Sequence, residues 1–335
     1  MRIPAGGRQG MKEYVRGTGE TMEYQCAVKE GVLKLKDYKK GLEIVSYEGE
    51  DIYLTIPEKF DTGEGEKTVV SLGKKAVLSC KTVRQIRLPD TIEEVGDWAF
   101  AYCDELREIR LPCKEIRFGR GIFRECGRIR RVIVEGKPAD IGGLLAASVT
   151  LLDAPYLFAP LRCGDEDWLR QWDARMLQLL RTADRDGYSK MVLCGEEDYG
   201  SRENNLDYFL NQKRKSKVRI AFMRLLHPSG LQDEVRLELE DYLRDHTADS
   251  GRAKERTKEG EDAGAWDETW QVLCSEHGED SEYYKLFTEI GCLTEENFDR
   301  ILSEAGENYP EMKAWFLKYK EEKIGYTDFF AELLL

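Results

Sequence analysis

Gly73, Gly96 and Gly119 stand 23 residues apart, and so do Cys80, Cys103 and Cys126. The same interval separates Ile86, Ile109 and Val132, and again Leu88, Leu111 and Val134. Four series in phase over residues 69–134 constrain the fold more than anything else in the chain, because a fixed period of this length is the signature of stacked coils. Each coil has apolar edges that only its neighbour covers, so the stretch predicts a solenoid with a thin core.

One coil reads Val95-Gly96, Ala99-Phe100, Cys103, Leu106, Ile109, Leu111-Pro112. The two-residue strand period puts Ile109 and Leu111 on one face, while Leu106 enters from the preceding turn. The Ala-Phe-x-x-Cys part has helical spacing and predicts one short turn of α- or 3₁₀-helix. The glycine is expected at a tight corner with unusual backbone angles, and Pro89 and Pro112 close their strands. A worn fourth copy follows in phase at Ile141-Gly142, Leu145, Val149 and Leu152.

The pattern I/V-G-x-x-A-F-x-x-C-x-x-L-x-x-I-x-L-P resembles the BspA-type leucine-rich repeat family over residues 50–155. The copy at 95–112 fits at every landmark. The first copy has Val77 where Phe is usual, and the third has Ile122 for Ala and Glu135 for Pro. The resemblance implies a bacterial leucine-rich-repeat solenoid whose outer surface binds other proteins. It brings no active site with it.

On either side the pattern changes. Residues 1–21 are rich in Gly and charge and are expected to be flexible. From Glu23 the chain alternates, with Gly turns at Glu30-Gly31 and Glu48-Gly49, which reads as two antiparallel hairpins covering the open end of the solenoid. Residues 60–67 read as a loop inserted before the regular coils. Beyond Pro155 the apolar spacing becomes helical. Leu169, Trp172, Met176, Leu179 and Leu180 form one stripe, opened by Asp165-Glu166-Asp167. A second helix is expected from about Asn204 to Leu226, stopping near Pro228, and a third from Leu231 to about Arg244. Residues 247–263 are almost wholly polar and read as a disordered linker. Four amphipathic sets follow: Trp266/Trp270/Leu273, Tyr283/Leu286/Phe287/Ile290, Phe298/Ile301/Leu302 and Met312/Trp315/Phe316/Tyr319. Thr294 caps the third of them. The stretch 294–323 resembles the helical tail of some bacterial leucine-rich-repeat proteins and, more loosely, ankyrin-like helix pairs.

The fold class is therefore α+β: a leucine-rich-repeat solenoid with 23-residue repeats and an N-terminal β-hairpin cap, then an α-helical domain of stacked helix pairs. The expected divisions are a flexible N-terminus at 1–21, the β cap and solenoid at 22–155, a first helical segment at 156–246, the linker at 247–263, and a second helical segment at 264–335.

A formal charge of −13 opposes general nucleic-acid binding, which needs cations to displace counterions. No apolar run reaches the roughly 20 residues that span a bilayer. Residues 1–24 carry no apolar signal core. The nine cysteines include no C-x-x-C pair, and three of them fall at repeat positions that want a small buried group. A reduced, cytoplasmic protein is expected.

The candidate site is an arginine stripe. Arg84, Arg107 and Arg130 are in register; so are Arg87 and Arg110; and Arg117, Arg120, Arg124, Arg128 and Arg131 are read into the same sector. Equivalent residues of stacked coils lie about 4.8 Å apart, close enough for like charges to repel. The protein-binding candidates are Arg84, Arg87, Arg107, Arg110, Arg130 and Arg131, with an acidic partner that is either another protein or the acidic C-terminal half of this chain. The competing reading is local neutralisation by Glu93, Glu94, Glu105 and Glu108.

No catalytic, cofactor-binding or metal-binding residues are assigned. The cysteine column lacks a fourth ligand, Cys274 and His277 have no companion motif, and neither Gly6-Gly7 nor Gly119/Gly121 is followed by the G-K-[ST] of a phosphate loop. Glu196-Glu197-Asp198 reads as a solvated turn, Trp266, Trp270 and Trp315 as core, and Lys213–Lys217 as a solvated helix face rather than a nucleic-acid site. The expected function is a non-catalytic adaptor or scaffold that binds a protein, with no cofactor, no nucleic acid and no membrane. The alternatives are an enzyme of unrecognised type in residues 156–335 and a cell-surface adhesin.

Overall fold

The computed structural model describes residues 14–15, 23–189, 205–250 and 266–324. The chain divides into two compact units, residues 1–172 and 173–335.

The first unit begins with a meander of β1 (Tyr14–Val15), β2 (Glu23–Val28), β3 (Gly31–Tyr38) and β4 (Gly41–Gly49), each antiparallel to the next. From β4 onward the chain winds. Two parallel ladders form: one runs through β4, β7 (Glu66–Leu72), β9 (Glu94–Val95) and β11 (Arg117–Phe118). The other runs β5 (Tyr53–Thr55), β8 (Gln85–Arg87), β10 (Glu108–Leu111), β12 (Arg131–Val134). The pairs Leu72↔Val95, Val95↔Phe118, Ile86↔Ile109 and Ile109↔Val132 are all 23 residues apart. The sequence period is thus one turn of the solenoid.

The second expected hairpin is not formed. β4 and β5 lie in different sheets, so the Glu48-Gly49 corner opens the first coil instead of closing a hairpin. Alternation of apolar residues is the same for both arrangements, which is why the sequence pattern misleads here. The expected loop at 60–67 is a hairpin: β6 (Lys59–Asp61) pairs antiparallel with β7. Its insertion stretches the Tyr53↔Gln85 pair to 32 residues.

Between the sheets lie the invariant landmarks. Val83, Leu106 and Ile129 are buried, as are Ile86, Ile109 and Val132. Phe100 and Phe123 stack at 5.6 Å with their planes 9° apart. Cys103 and Cys126 are buried, and each thiol donates to a carbonyl of the preceding coil, Val77 and Phe100, at 3.0 Å.

The glycine column has a different cause from the one expected. Gly73, Gly96 and Gly119 do not adopt positive φ. A Cβ on Gly96 would sit 2.6 Å from the Lys74 backbone nitrogen, and one on Gly119 would sit 2.5 Å from that of Asp97. Contact between coils excludes a side chain there. The positive φ values fall elsewhere, at Lys75, Trp98 and Gly121, and at Ser79, Tyr102 and Glu125, again in steps of 23. The stretch expected to be helical is therefore a pair of linked turns. Their i→i+3 bonds (Ala99 N to Gly96 O, Ala101 N to Trp98 O) alternate with bonds to the next coil (Trp98 N to Arg120 O, Phe100 N to Ile122 O).

The worn fourth copy is α1 (Ala139–Thr150), a helix packed on β12. Gly142 lets it approach so closely that a Cβ would lie 2.0 Å from the Val132 carbonyl oxygen. A helix covers the last open strand, as solenoid ends require. The unit then extends past the expected boundary at 155 to Trp172. Phe158 packs on Phe118 and Phe123, and the indoles of Trp168 and Trp172 donate to the Leu157 and Leu144 carbonyls at 2.9 Å. Both tryptophans belong to α2 (Glu166–Arg181).

The second unit is helical. It takes in α2 from Asp173, α3 (Leu206–Leu226), α4 (Asp233–Asp245), α5 (Glu268–Glu276), α6 (Ser281–Glu289), α7 (Glu295–Glu304) and α8 (Pro310–Tyr319). Helix α3 packs on α4, α5 and α6, and α6 packs on α8. The Asn205 side chain accepts from the Asp207 and Tyr208 amides at the start of α3. Thr294 and Asn297 form a reciprocal capping box on α7. Arg224 is fully buried and grips Asp173 through two bonds of 2.6 and 3.0 Å. Of the stretch read as a linker, residues 247–250 are described: Thr247 and Ala248 are buried, and the Ala248 amide donates to Asp267 at 2.9 Å. The rest of that stretch and nearly all of 1–21 lie outside the described residues.

Candidate protein-binding face

The sheet β5-β8-β10-β12 turns one set of side chains outward, and register aligns them in rows. Tyr53, Gln85, Glu108 and Arg131 form one row; Thr55, Arg87, Arg110 and Ile133 form another. One residue ahead of the first row, Ile52, Arg84, Arg107 and Arg130 line up. There the Arg84 amide donates to the Ile52 carbonyl, Arg107 to Arg84, and Arg130 to Arg107. Arg87, Arg110 and Arg131 alternate with the buried Ile86, Ile109 and Val132 and point outward from the strands, while Arg84, Arg107 and Arg130 stand at the edge of the sheet; all six are exposed.

Two carboxylates are set among them. Glu108 is 3% exposed, with Arg110 at 2.9 Å and Arg131 at 2.7 Å. Glu105 takes Arg128, together with Arg107 at 3.4 Å and Arg84 at 3.9 Å. Neutralisation is thus real but partial: seven guanidinium groups face two carboxylates. Arg87 and Arg130 have no carboxylate partner among the described residues. Of the expected neutralisers, Glu94 serves another face.

Arg117, Arg120 and Arg124 are not in this sector, contrary to the sequence reading. Arg117 lies on β11 in the other ladder and bonds Glu94 at 3.0 Å. Arg120 and Arg124 lie in and at the end of the linked turns, Arg120 pairing with Asp97. The strand boundary between β11 and the turns carries them round the coil. Ile52, Tyr53 and Ile133 do belong to the face, with Tyr53 62% exposed. The 32-residue step at β5 hides the first two from a search at 23.

On the opposite ladder, Glu94 accepts from Lys39 and Arg117 at 3.0 Å and from the Tyr38 hydroxyl at 3.2 Å. The Lys39 and Arg117 donors hold its carboxyl down to about 2. The adjacent groove follows the glycine column and mixes Glu43, Lys74, Asp97 and Arg117. There Arg117 bonds Glu94, while Glu43 pairs with Lys36 and Asp97 with Arg120. On the turns, exposed Trp98 packs over Gly121, with Lys74 and Lys75 within 5.7 and 5.1 Å of its ring.

Two cations of the basic run in α3, Arg214 and Lys217, are spent inside the helical unit. Lys217 is buried, with Asp184 at 2.6 Å. Arg214 bonds Asp184 at 2.9 Å and stacks 3.9 Å from the Trp266 ring. These two form an internal ion cluster with Asp184 and Glu268 where a solvated face was expected. Trp270 is buried and donates to Glu304 at 2.6 Å, and Trp315 donates to Thr288 at 3.1 Å. His277 stacks on Tyr283 and bonds Asp280 at 2.8 Å, and His246 stacks on Tyr242. Burial pushes the Cys274 thiol up. No group of three or more His, Cys, Asp or Glu suited to a metal is found among the described residues, and no helix there is long and apolar enough to cross a membrane. Glu196-Glu197-Asp198 lies outside the described residues.

The decisive comparison is with repeat families. Residues 59–150 match the model of the BspA type Leucine rich repeat region, in six copies. This region belongs to the BspA-type leucine-rich repeat family. The match takes in α1, so the family pattern continues into a segment that folds as a helix. No curated protein matches the chain. Among solved structures, a leucine-rich repeat protein from Bacteroides ovatus is 24% identical over 32% of this chain and 28% of its own length, with a TM-score of 0.29. One from Bacteroides capillosus is 19% identical over 33% of this chain and 99% of its own, at 0.26. A Treponema pallidum leucine-rich repeat protein is 24% identical over 29% and 58%, at 0.22. The chain thus spans little more than a quarter of the Bacteroides ovatus protein. Leucine-rich repeat regions are in general protein-interaction or surface modules rather than enzymes.

Proposed function

We propose that this chain is a non-catalytic adaptor or scaffold, and that its leucine-rich repeat face captures an acidic protein through Arg84, Arg87, Arg107, Arg110, Arg130 and Arg131. One observation carries the reading: exposed arginines of three successive coils lie together with, among the described residues, only Glu105 and Glu108 to balance them. Stacking like charges costs stability, and a partner's carboxylates would offset that cost with charge-assisted, bidentate bonds. We also propose a reducing, cytoplasmic location. The buried packing roles of Cys103 and Cys126 support it.

The test is affinity capture by the full chain and by the triple variant Arg87→Glu, Arg107→Glu, Arg110→Glu at about 0.1 M salt, where charge is screened beyond about 10 Å. The wild type is expected to retain an acidic protein that the variant loses. Equal retention by both ends the proposal.

A further inference from the structure

We infer that the occupant of the arginine face is an acidic α-helix of another protein, laid along the solenoid axis with a carboxylate on each successive turn. This rests on the reading that the face binds an acidic protein, and it adds the partner's conformation.

The argument is one of spacing. Arg84, Arg107 and Arg130 form a column over three coils, and parallel strands lie about 4.8 Å apart, so the column spans about 9.6 Å. Arg87 and Arg110 form a shorter column beside it. A helix rises 1.5 Å per residue, which puts carboxylates at positions i, i+3 and i+7 at about 4.5 and 10.5 Å along its axis. Those positions share one stripe and stay within about 1 Å of the arginine ladder. An extended segment presents a side chain to one face every ~6.7 Å, so its third carboxylate falls about 4 Å beyond the third arginine. Arg87 and Arg130, which have no carboxylate partner among the described residues, are the anchors.

The rows also say why the occupant is a protein rather than a polyphosphate. Glu108 is held between Arg110 and Arg131, and Glu105 among Arg84, Arg107 and Arg128, so negative charge is interleaved with the positive. A chain of phosphates would meet both carboxylates at the middle coil. Ile52 starts one row and Ile133 ends another, with exposed Tyr53 alongside. Such apolar ends suit the residues flanking an acidic stripe on an amphipathic helix.

The experiment uses the full-length chain and two labelled peptides of equal composition and charge, read by fluorescence anisotropy at about 0.1 M salt. One is alanine-rich and helical with Glu at i, i+3 and i+7. The other carries the same three Glu but has a proline moved to its centre, which breaks the helix. A short single-stranded oligonucleotide is the third probe. The helical peptide is expected to bind at least about tenfold tighter than the broken one. Arg87→Gln with Arg130→Gln, both exposed, is expected to abolish the preference while leaving the circular dichroism unchanged and without lowering the Tm. Equal binding of both peptides overturns the helix and leaves the acidic-partner reading standing. If neither peptide binds and the triple reversal also leaves protein capture intact, both fall. Tighter binding of the oligonucleotide than of either peptide overturns both in favour of a nucleic-acid surface.

Discussion

Glu94 shows how one carboxylate fastens the cap to the coils. Lys39 and Tyr38 reach it from the meander, and Arg117 reaches it from the next coil. Lys39 and then Arg117 are the main reasons that its carboxyl is held down to about 2, against an ordinary 4.5. Because the folded value is depressed, the stabilisation is fully present above the unfolded value near 4.5 and is lost as pH falls toward 2. Glu94→Gln is therefore expected to be less stable than the wild type at pH 7, with the gap closing between about pH 5 and pH 2. Urea unfolding at a series of pH values measures it. A gap that stays constant across that range would mean that Glu94 contributes packing and no charge.

At the scale of the element, the coil is held by backbone approach at the glycine column and by positive-φ positions in the turns. Gly96→Ala would drive a Cβ to 2.6 Å from the Lys74 nitrogen and 2.8 Å from the Gly73 carbonyl carbon, both main-chain atoms that move only with the whole coil. The expected cost is about 1–3 kcal/mol, the usual range for overpacking. Gly127→Ala meets nothing within 4 Å, and its expected effect is below about 0.5 kcal/mol. Denaturant midpoints for the two variants decide whether inter-coil contact or chain flexibility sets the requirement. A similar loss in both would point to flexibility.

This contrast also marks what could be read from the sequence. The period, the strand faces and the two arginine columns were legible, because residues that stack in space recur in phase along the chain. The helices were legible from apolar stripes and, for one of them, from the cap at Thr294. Three features were not. The turns look helical because their apolar residues are three and four apart, while Trp98 and Tyr102 give no glycine signal for a positive φ. The separation of β4 from β5 leaves the two-residue alternation unchanged. The burial of Lys217 and Arg214 depends on Asp184 and Glu268, which lie about 30 and 50 residues away with no pattern linking them.

Charge is divided unequally along the chain, and this sets a condition on binding. Residues 1–172 hold 28 basic and 28 acidic side chains, whereas residues 173–335 hold 23 and 36, so the whole excess of −13 belongs to the second unit. An acidic partner is attracted by the arginine face at contact distance and repelled by the molecule at long range. Which effect wins depends on the Debye length, about 30 Å at 0.01 M salt, 10 Å at 0.1 M and 3 Å at 1 M. At 0.01 M the net charge of the chain counts; at 0.1 M only groups near the contact do. Affinity for the acidic partner is accordingly expected to rise from 0.01 M to about 0.1 M salt and to fall again toward 1 M. Titration of the same complex across that series reads the maximum directly. A steady fall would show that the net charge does not oppose binding, and a steady rise would show that the arginines do not bind through charge.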